Sequence, residues 1–568
     1  MSYQPVVHAK SGKYFGAALV GTYSAVIGWN FEDEGLRRGL RGFAVRRSDF
    51  DVETNEQMRV QWLGGYKRFK DTDTGQVAAV PSSEAPFQRF RWSDYTLNAK
   101  FRYRYEVFAV RGEPTALTRE EDPLVFDVTP SREDQDDLGL YVNRGVTSAM
   151  AYLDRFKNTR PADVANNGAY KWLSRGLKES LLDFIARAQA DDALHVAIYE
   201  FHDMEVAAAL VAAQGRGVVV DIVFDHHAEK RSTKESLHVL EQSGLGGVAT
   251  KRTQTNISHN KTVVRLSGNQ PREVWAGSAN FSENAFNFQT NSAMVLRDPN
   301  LCEQYERYFQ ALKLDASKAD SKTSNQQLVN AANELAGRFA DKVFFSPVKG
   351  LDILDAAASI ITSAKSMVLV SSPFGTGDEL IAALGANGRE IVEMGLVNNS
   401  AQKTIMGLRR DNTRFYPPTR LDTYLGRKWD AKAFGSHKIH AKTIVVDPFG
   451  EDPIVLIGSA NFSRPSCRDN DENALLVRGA GRMAAVMGTE FLRMYDHYQS
   501  RFQIAAMSQR QAQAMKSNEA LVASGKPRTP GELLDPYLKV DDSWSDTAFD
   551  PGARSHKYRD REVFSGLA

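Results

Sequence analysis

Two short stretches of this chain carry the same set of reactive side chains. His259-Asn-Lys261 is followed by Gly277-Ser278-Ala279-Asn280, and His440-Ala-Lys442 by Gly458-Ser459-Ala460-Asn461, each pair of equivalent residues lying 181 positions apart. These residue types suit work on a phosphodiester, whose negative charge repels nucleophiles and must be met by cations and donors around its non-bridging oxygens. Lys261 and Lys442 would supply point charges, while Ser278, Asn280, Ser459 and Asn461 would supply neutral substrate-binding donors. One imidazole can attack phosphorus and form a phosphohistidine, while the other protonates the leaving oxygen and later activates water. That scheme calls for no metal and no cofactor.

At these residues the chain resembles the phospholipase D superfamily, whose signature is His-x-Lys-x4-Asp followed by Gly-Ser-x-Asn, twice per active site. The resemblance covers roughly residues 140 to 500. It implies an α/β fold in which two pseudo-symmetric halves bring both histidines to one phosphate, with the first, His259, as nucleophile and His440 as general acid and base. The copies differ in their acids. Asp447 closes the second motif, whereas its counterpart is Leu266; Glu472 stands where the family often holds the imidazole with a carboxylate, whereas its counterpart is Asn291. The sequence reading places Glu472 beside His440, favouring a protonated acid, and Asn291 beside His259, orienting that ring without adding charge. The alternative is that copy one is decaying and the protein only binds phosphates or serves as a scaffold.

Stepping outward, the chain of 568 residues has room for several domains, and its 71 basic and 70 acidic residues exert no global pull toward nucleic acid or membrane. Cys302 and Cys467 are too few for a disulfide framework and stand in no metal-ligand spacing. The first residues lack the apolar run of a secretory signal, and no stretch reaches membrane-spanning length, so a cytoplasmic protein without an integral membrane segment is expected.

Residues 1–130 read as an all-β sandwich. Tyr103, Tyr105, Val107 and Ala109 share one face of a strand while Arg102, Arg104 and Glu106 share the other. With Trp29 before it and Leu124-Val-Phe-Asp-Val after it, this region resembles a fibronectin type III or immunoglobulin-like domain, a module suited to docking a protein partner. Residues 138–315 and 343–502 read as the two α/β halves, preceded in this way by the sandwich. Helical spacing is expected over Trp172–Ile185 and Val206–Ala213, and buried strands over Leu194–Phe201 and Gly215–Phe224. Residues 316–342 read as a helical linker and 503–568 as a helical or irregular tail lying across the catalytic halves.

Two further segments invite functional readings. Asp225-His226-His227 has metal-ligand types but no third or fourth ligand at suitable spacing, so a loop lining the substrate entrance is preferred. Between 401 and 438, Lys403, Arg409, Arg410, Arg414, Arg420, Arg427, Lys428, Lys432 and Lys438 alternate with Phe415, Tyr416, Tyr424 and Trp429. Such a run can follow a nucleic-acid backbone, meet an anionic lipid surface, or pack as a solvated loop. The expected substrate is a phosphodiester, with phospholipid favoured over nucleic acid. Two motifs in one long chain resemble the phospholipases and synthases of the family, whereas many of its small nucleases use one motif per subunit and dimerise; a monomer is therefore expected.

Overall fold

The computed structural model describes residues 2–567 except 76–77, 147–148, 158, 336–340, 399–404, 406, 409–411, 419–422, 425–426, 429–437 and 524–536. The N-terminal region folds as two facing sheets built from β1 (Val6–Lys10), β2 (Tyr14–Val20), β3 (Ala25–Phe31), β4 (Gly42–Asp51), β5 (Gln57–Trp62), β6 (Arg91–Asp94), β7 (Phe101–Glu113), β8 (Ala116–Arg119) and β9 (Leu124–Val128). One sheet runs β1-β2-β3-β6 and the other β8-β7-β4-β5, with β9 also paired to β7. The alternation in β7 has the expected result: Tyr103, Tyr105, Val107 and Ala109 are buried with Trp29. On the opposite face Arg104 pairs with Asp127 and Glu106 with Arg46. The Tyr103 hydroxyl accepts a hydrogen bond from the Asn98 amide at 2.8 Å, closing a tyrosine corner of the kind seen in immunoglobulin-like sandwiches.

The two halves repeat one topology. In the first, β10 (Leu138–Val142), β11 (Asp192–Ile198), β12 (Val219–Asp225), β13 (Ala249–Arg252), β14 (Lys261–Ser267), β15 (Gln270–Gly277) and β16 (Ser292–Leu296) lie in the order β10-β16-β15-β14-β11-β12-β13. In the second, β17 (Lys342–Ser346), β18 (Met367–Ser371), β19 (Val392–Leu396), β20 (Thr413–Tyr416), β21 (Lys442–Val446), β22 (Ile454–Gly458) and β23 (Glu472–Arg478) lie in the order β17-β23-β22-β21-β18-β19-β20. Strand for strand the two orders correspond. In each, a parallel strand–helix–strand unit, β11 to β12 and β18 to β19, is joined edge to edge with an antiparallel hairpin that begins at the motif lysine.

Three local readings are corrected by the structure. The single helix expected over Trp172–Ile185 is two, Gly168–Ser174 and Leu177–Ala186, because Arg175 and Gly176 both take positive φ (44° and 83°). The boundary expected at 503 is crossed by one helix, Gly481–Ala523, since neither glycine nor proline occurs between 489 and 524 to stop it. The C-terminal tail reaches the sandwich as well as the second half: Trp544 and Ala548 join the sandwich core and Phe549 packs against it, while Asp560 pairs with Arg414 and Phe564 packs on Phe449.

The sandwich is therefore not a loosely tethered spacer. Asp496 on the long helix accepts from Tyr95 at 2.7 Å and pairs with Arg91, and Glu490 accepts from Ser24 at 3.1 Å while pairing with Arg175 at 2.6 Å. Buried Ala17, Leu19 and Val26 of the sandwich share one hydrophobic core with the long helix and with strands of both halves. One helix thus fixes the sandwich and both halves in a single packed body.

Candidate active site

The hairpins carry the motif residues to one place. Lys261 opens β14 and Gly277 ends its partner β15; Lys442 pairs across from Gly458 in the same way. Glycine is required at both positions, because a Cβ on Gly277 or Gly458 would run into the carbonyl of Ser292 or Asn473 on the next strand. The β-branched runs Thr262-Val263-Val264 and Thr443-Ile444-Val445 are buried along these hairpins, which suits them to central strands.

The halves then exchange backbone bonds around each histidine. His440 N–H and Ala441 N–H donate to the Thr290 carbonyl (3.1 and 2.8 Å), and His259 N–H donates to the Asp471 carbonyl (2.9 Å). A parallel pair, Gln289–Thr290 with Lys438–Ile439, and a bridge between Ser258 and Asp471 complete this seam. Arg252 anchors it from below, bonded to the Asp471 carboxylate at 3.0 and 3.1 Å with both side chains buried.

This seam reverses the expected pairing of histidines and acids. Glu472 Oε2 lies 2.7 Å from His259 Nδ1, and Asn291 Oδ1 lies 2.8 Å from His440 Nδ1. Each ring is held by the other half. The reason is the backbone exchange: the residue after Thr290 must sit beside His440, and the residue after Asp471 beside His259. The orientation of Asn291 follows from its Nδ2, which donates to the Ala285 carbonyl at 2.8 Å, so Oδ1 faces the ring. Both Nδ1 atoms are thereby occupied as donors, and Nε2 is the nitrogen left on each imidazole.

Ser278 Oγ donates to Asn291 Oδ1 at 2.8 Å and Ser459 Oγ to Glu472 Oε2 at 2.9 Å, so each serine hydroxyl is bonded to the group that holds a histidine. Glu472 Oε1 accepts from Ser466 as well, at 3.0 Å. Asn280 and Asn461 are at the site, each with a buried Oδ1 that has no hydrogen-bond partner among the described residues. The lysines lie beneath the rings: Lys261 Nζ donates to the His259 carbonyl at 2.5 Å and Lys442 Nζ to the His440 carbonyl at 2.7 Å.

Burial sets the electrostatics. Both imidazoles are held well below the usual histidine range, first by desolvation and then by the two lysine charges. Desolvation lowers Lys261 to about 7 and Lys442 well below its ordinary value, and it pushes Glu472 up to about 7. Burial therefore disfavours charge throughout the site, and an arriving anion would draw protons onto its bases.

Three residues at the site escaped the sequence reading. Tyr199 packs on His259 (5.2 Å between ring centres) with Lys261 over its face, and Phe374 packs on His440 (5.3 Å) with Lys442 over its face. Glu200 Oε2 accepts from Asn280 Nδ2 at 2.6 Å. The signal was their position immediately beyond β11 and β18, since ligands gather at the carboxyl ends of parallel strands.

The remaining candidates lie elsewhere. Asp447 is at the far end of β21 from Lys442 and accepts from Lys365 N, Ser366 N, Ser366 Oγ and Met367 N, each at 2.8 Å. It staples β18, and Leu266 fills the equivalent corner with apolar side chain, so the missing acid of copy one removes no group from the site. Asp225 accepts from Ser258 N at 2.7 Å and faces His227 and Lys230; among the described residues no cluster of three or more His, Cys, Asp or Glu is arranged to hold a metal ion. In the basic segment, Arg414 is buried against Asp560 (2.7 Å) and Phe415 and Tyr416 are in the core, so these three do not face a substrate. Lys403, Arg409, Arg410, Arg420, Trp429 and Lys432 lie outside the described residues. Cys302 and Cys467 are buried free thiols, pushed up to about 12 and about 11 by desolvation. Among the described residues no helix is long and apolar enough to cross a membrane.

The family described as "Cardiolipin synthase, PLD-like domain" matches residues 181–313 and 358–495, one match in each half. A phospholipase D of Rickettsia conorii is 27% identical over 117 residues, 21% of this chain and 55% of that protein, so the chain spans about half the length of the curated relatives it matches. The phospholipase D family member Nuc from Salmonella typhimurium is 28% identical over 24% of this chain and 84% of its own, with a TM-score of 0.20. Phosphatidylserine synthase of Haemophilus influenzae is 14% identical over 58% of this chain and 84% of its own, with a TM-score of 0.36.

Proposed function

This chain is a phospholipase D superfamily protein with two phospholipase D-like domains, and on that premise we propose that it is a metal-independent phosphodiesterase acting through a phosphohistidine. The observation that carries the reading is the reciprocal hold on the two rings, which engages both Nδ1 atoms and neither Nε2, with two buried lysines bonded to the carbonyls of the same histidines.

His259 Nε2 forms the bond to phosphorus as the bond to the leaving oxygen breaks, and His440 Nε2 gives that oxygen its proton. In the second step His440 takes a proton from water, the water oxygen bonds to phosphorus, and His259 is released. An alcohol in place of water would give transfer. The nucleophile remains His259, but for a reason opposite to that offered by the sequence: a ring phosphorylated on Nε2 carries positive charge, and the Glu472 carboxylate accepting from its Nδ1 offsets that charge. Asn291 is neutral and adds nothing to hold a proton on His440, so the charge that protonates this ring comes with the substrate anion, and the ring gives the proton up easily to become the base. Lys261, Lys442, Asn280 and Asn461 bind the non-bridging oxygens. Phospholipid is the preferred substrate class, supported by two motifs in one chain and by relatives named phospholipase D.

The test is turnover of a chromogenic phosphodiester in excess EDTA by the native protein, His259→Ala and His440→Ala, with acid quenching to trap the phosphoenzyme. Loss of turnover in both variants, with label on His259 in the native protein, is the expected result. Label on His440, or activity that EDTA abolishes, refutes the mechanism. Parallel assays with phospholipid vesicles and single-stranded DNA decide the substrate class.

A further inference from the structure

The site contains one carboxylate that the proposed reaction does not use. Glu200 follows β11, is half-buried, and holds Asn280 Nδ2 at 2.6 Å through Oε2. Its charge reaches both Lys261 and Lys442. Oε1 accepts no hydrogen bond from the described residues, and Asn280, only 4% exposed, has an Oδ1 with no partner among them. Two acceptors therefore stand at one corner of a site otherwise built to receive an anion.

The corner exists on one side only. Tyr199 is to His259 what Phe374 is to His440, and the residue after Phe374 is Gly375, which has no side chain to offer. A carboxylate among phosphate-binding cations weakens their attraction for the phosphate. Its presence beside one histidine alone points to a different part of the substrate.

We propose that Glu200 is a specificity-determining residue that reads the substituent attached to the scissile phosphate and selects an ammonium-bearing one; this deepens, and rests on, the phosphodiesterase reading above. An alkylammonium carries positive charge and three N–H donors, which suit Glu200 Oε1 together with Asn280 Oδ1. A hydroxyl brings one donor and no charge. A polyanionic strand brings further negative charge toward the carboxylate and is disfavoured.

The experiment compares kcat/KM of the full-length protein on three para-nitrophenyl phosphodiesters whose other substituent is aminoethyl, hydroxyethyl or ethyl. The native protein is expected to prefer the aminoethyl over the ethyl ester by about tenfold, the worth of one charge-assisted hydrogen bond. Glu200→Gln should bring that ratio close to one, and Glu200→Asp, which keeps the charge, should retain most of it; thermal melting confirms that each variant is folded. A native ratio near one, a ratio unchanged in Glu200→Gln, or an equal fall on all three esters would overturn the assignment, the last by making Glu200 only a support for Asn280. An equal preference for the hydroxyethyl ester would overturn the selection of charge. Failure of the native protein on every ester, with no phosphohistidine formed, would instead bring down the phosphodiesterase reading itself.

Discussion

Replacing Glu472 by Gln should slow the chemistry whatever the leaving group, whereas replacing Asn291 by Ala should matter only when the leaving oxygen needs a proton. Glu472 contacts His259 at 2.7 Å with both partners buried, and a Gln preserves an acceptor there but not the charge. A hydrogen bond to a charged group is worth about 1.5–3 kcal/mol against about 1 for a neutral one, so the variant forfeits about 0.5–2 kcal/mol as positive charge builds on His259. At 1.4 kcal/mol per tenfold this is about a 2- to 30-fold slower formation of the phosphoenzyme. Asn291→Ala strands the His440 Nδ1–H in a buried site, a cost of about 1–3 kcal/mol that falls on the proton donor.

Rapid-quench measurement of phosphohistidine with two substrates separates these effects. A para-nitrophenyl diester expels a stable anion and does not depend on protonation; a dialkyl diester does. Glu472→Gln should therefore slow both, and Asn291→Ala the dialkyl ester selectively. If Glu472→Gln instead discriminates between leaving groups and Asn291→Ala does not, the roles of the two histidines are reversed. If neither variant changes either rate, the reciprocal hold on the rings has no part in the chemistry.

Further outcomes follow from the same geometry. Activity should be bell-shaped in pH: it rises as Glu472 loses its proton near about 7 and falls above about 7 as Lys261, depressed by burial, loses the charge that captures the anion. Lys261→Arg should weaken the alkaline limb of that profile, what remains being due to Lys442, which burial also depresses. Glu490 is held down to about 2 against its ordinary 4.5, with burial opposing and Arg175 and Arg493 prevailing. A carboxylate depressed on folding stabilises above its unfolded pKa, so this contribution of about 3 kcal/mol should be present above pH about 4.5 and vanish as pH falls toward about 2. Glu490→Gln should therefore lower the urea midpoint at pH 7 and flatten its dependence on acid. Asp447→Ala leaves the buried main-chain donors of Ser366 and Met367 without an acceptor and should cost about 3 kcal/mol of stability, while kcat per folded molecule changes by less than about twofold.

Much of the architecture was legible because local patterns answer to local physics. The alternation of β7, the shared 181-residue offset and the apolar runs flanking each motif led to the sandwich and to two like halves. The break at Arg175-Gly176 was missed because the apolar spacing of Trp172–Ile185 continues across it, and hydrophobic period alone does not reveal a change in backbone hand. The tail's reach to the sandwich was missed for a different reason: Trp544 and Phe549 complete the core of a domain more than 400 residues earlier in the chain.

The same division runs through the site. Sequence by itself determined the reactive inventory, because His259, Lys261, Asn280 and their counterparts recur at fixed spacing in hairpins whose geometry is local. It also determined that the two copies are unequal in their acids. Only the tertiary structure decided which acid serves which histidine, because spacing along the chain counts residues within one copy. The bonds from His440 to Thr290 and from His259 to Asp471 join one copy to the other. The same folding set Ser278 and Ser459 against the groups that hold the histidines, placed Asp447 at the far end of its strand from Lys442, and brought Glu200 to Asn280. Each of these outcomes depends on how two sheets meet across a seam, and a one-dimensional register carries no information about that meeting.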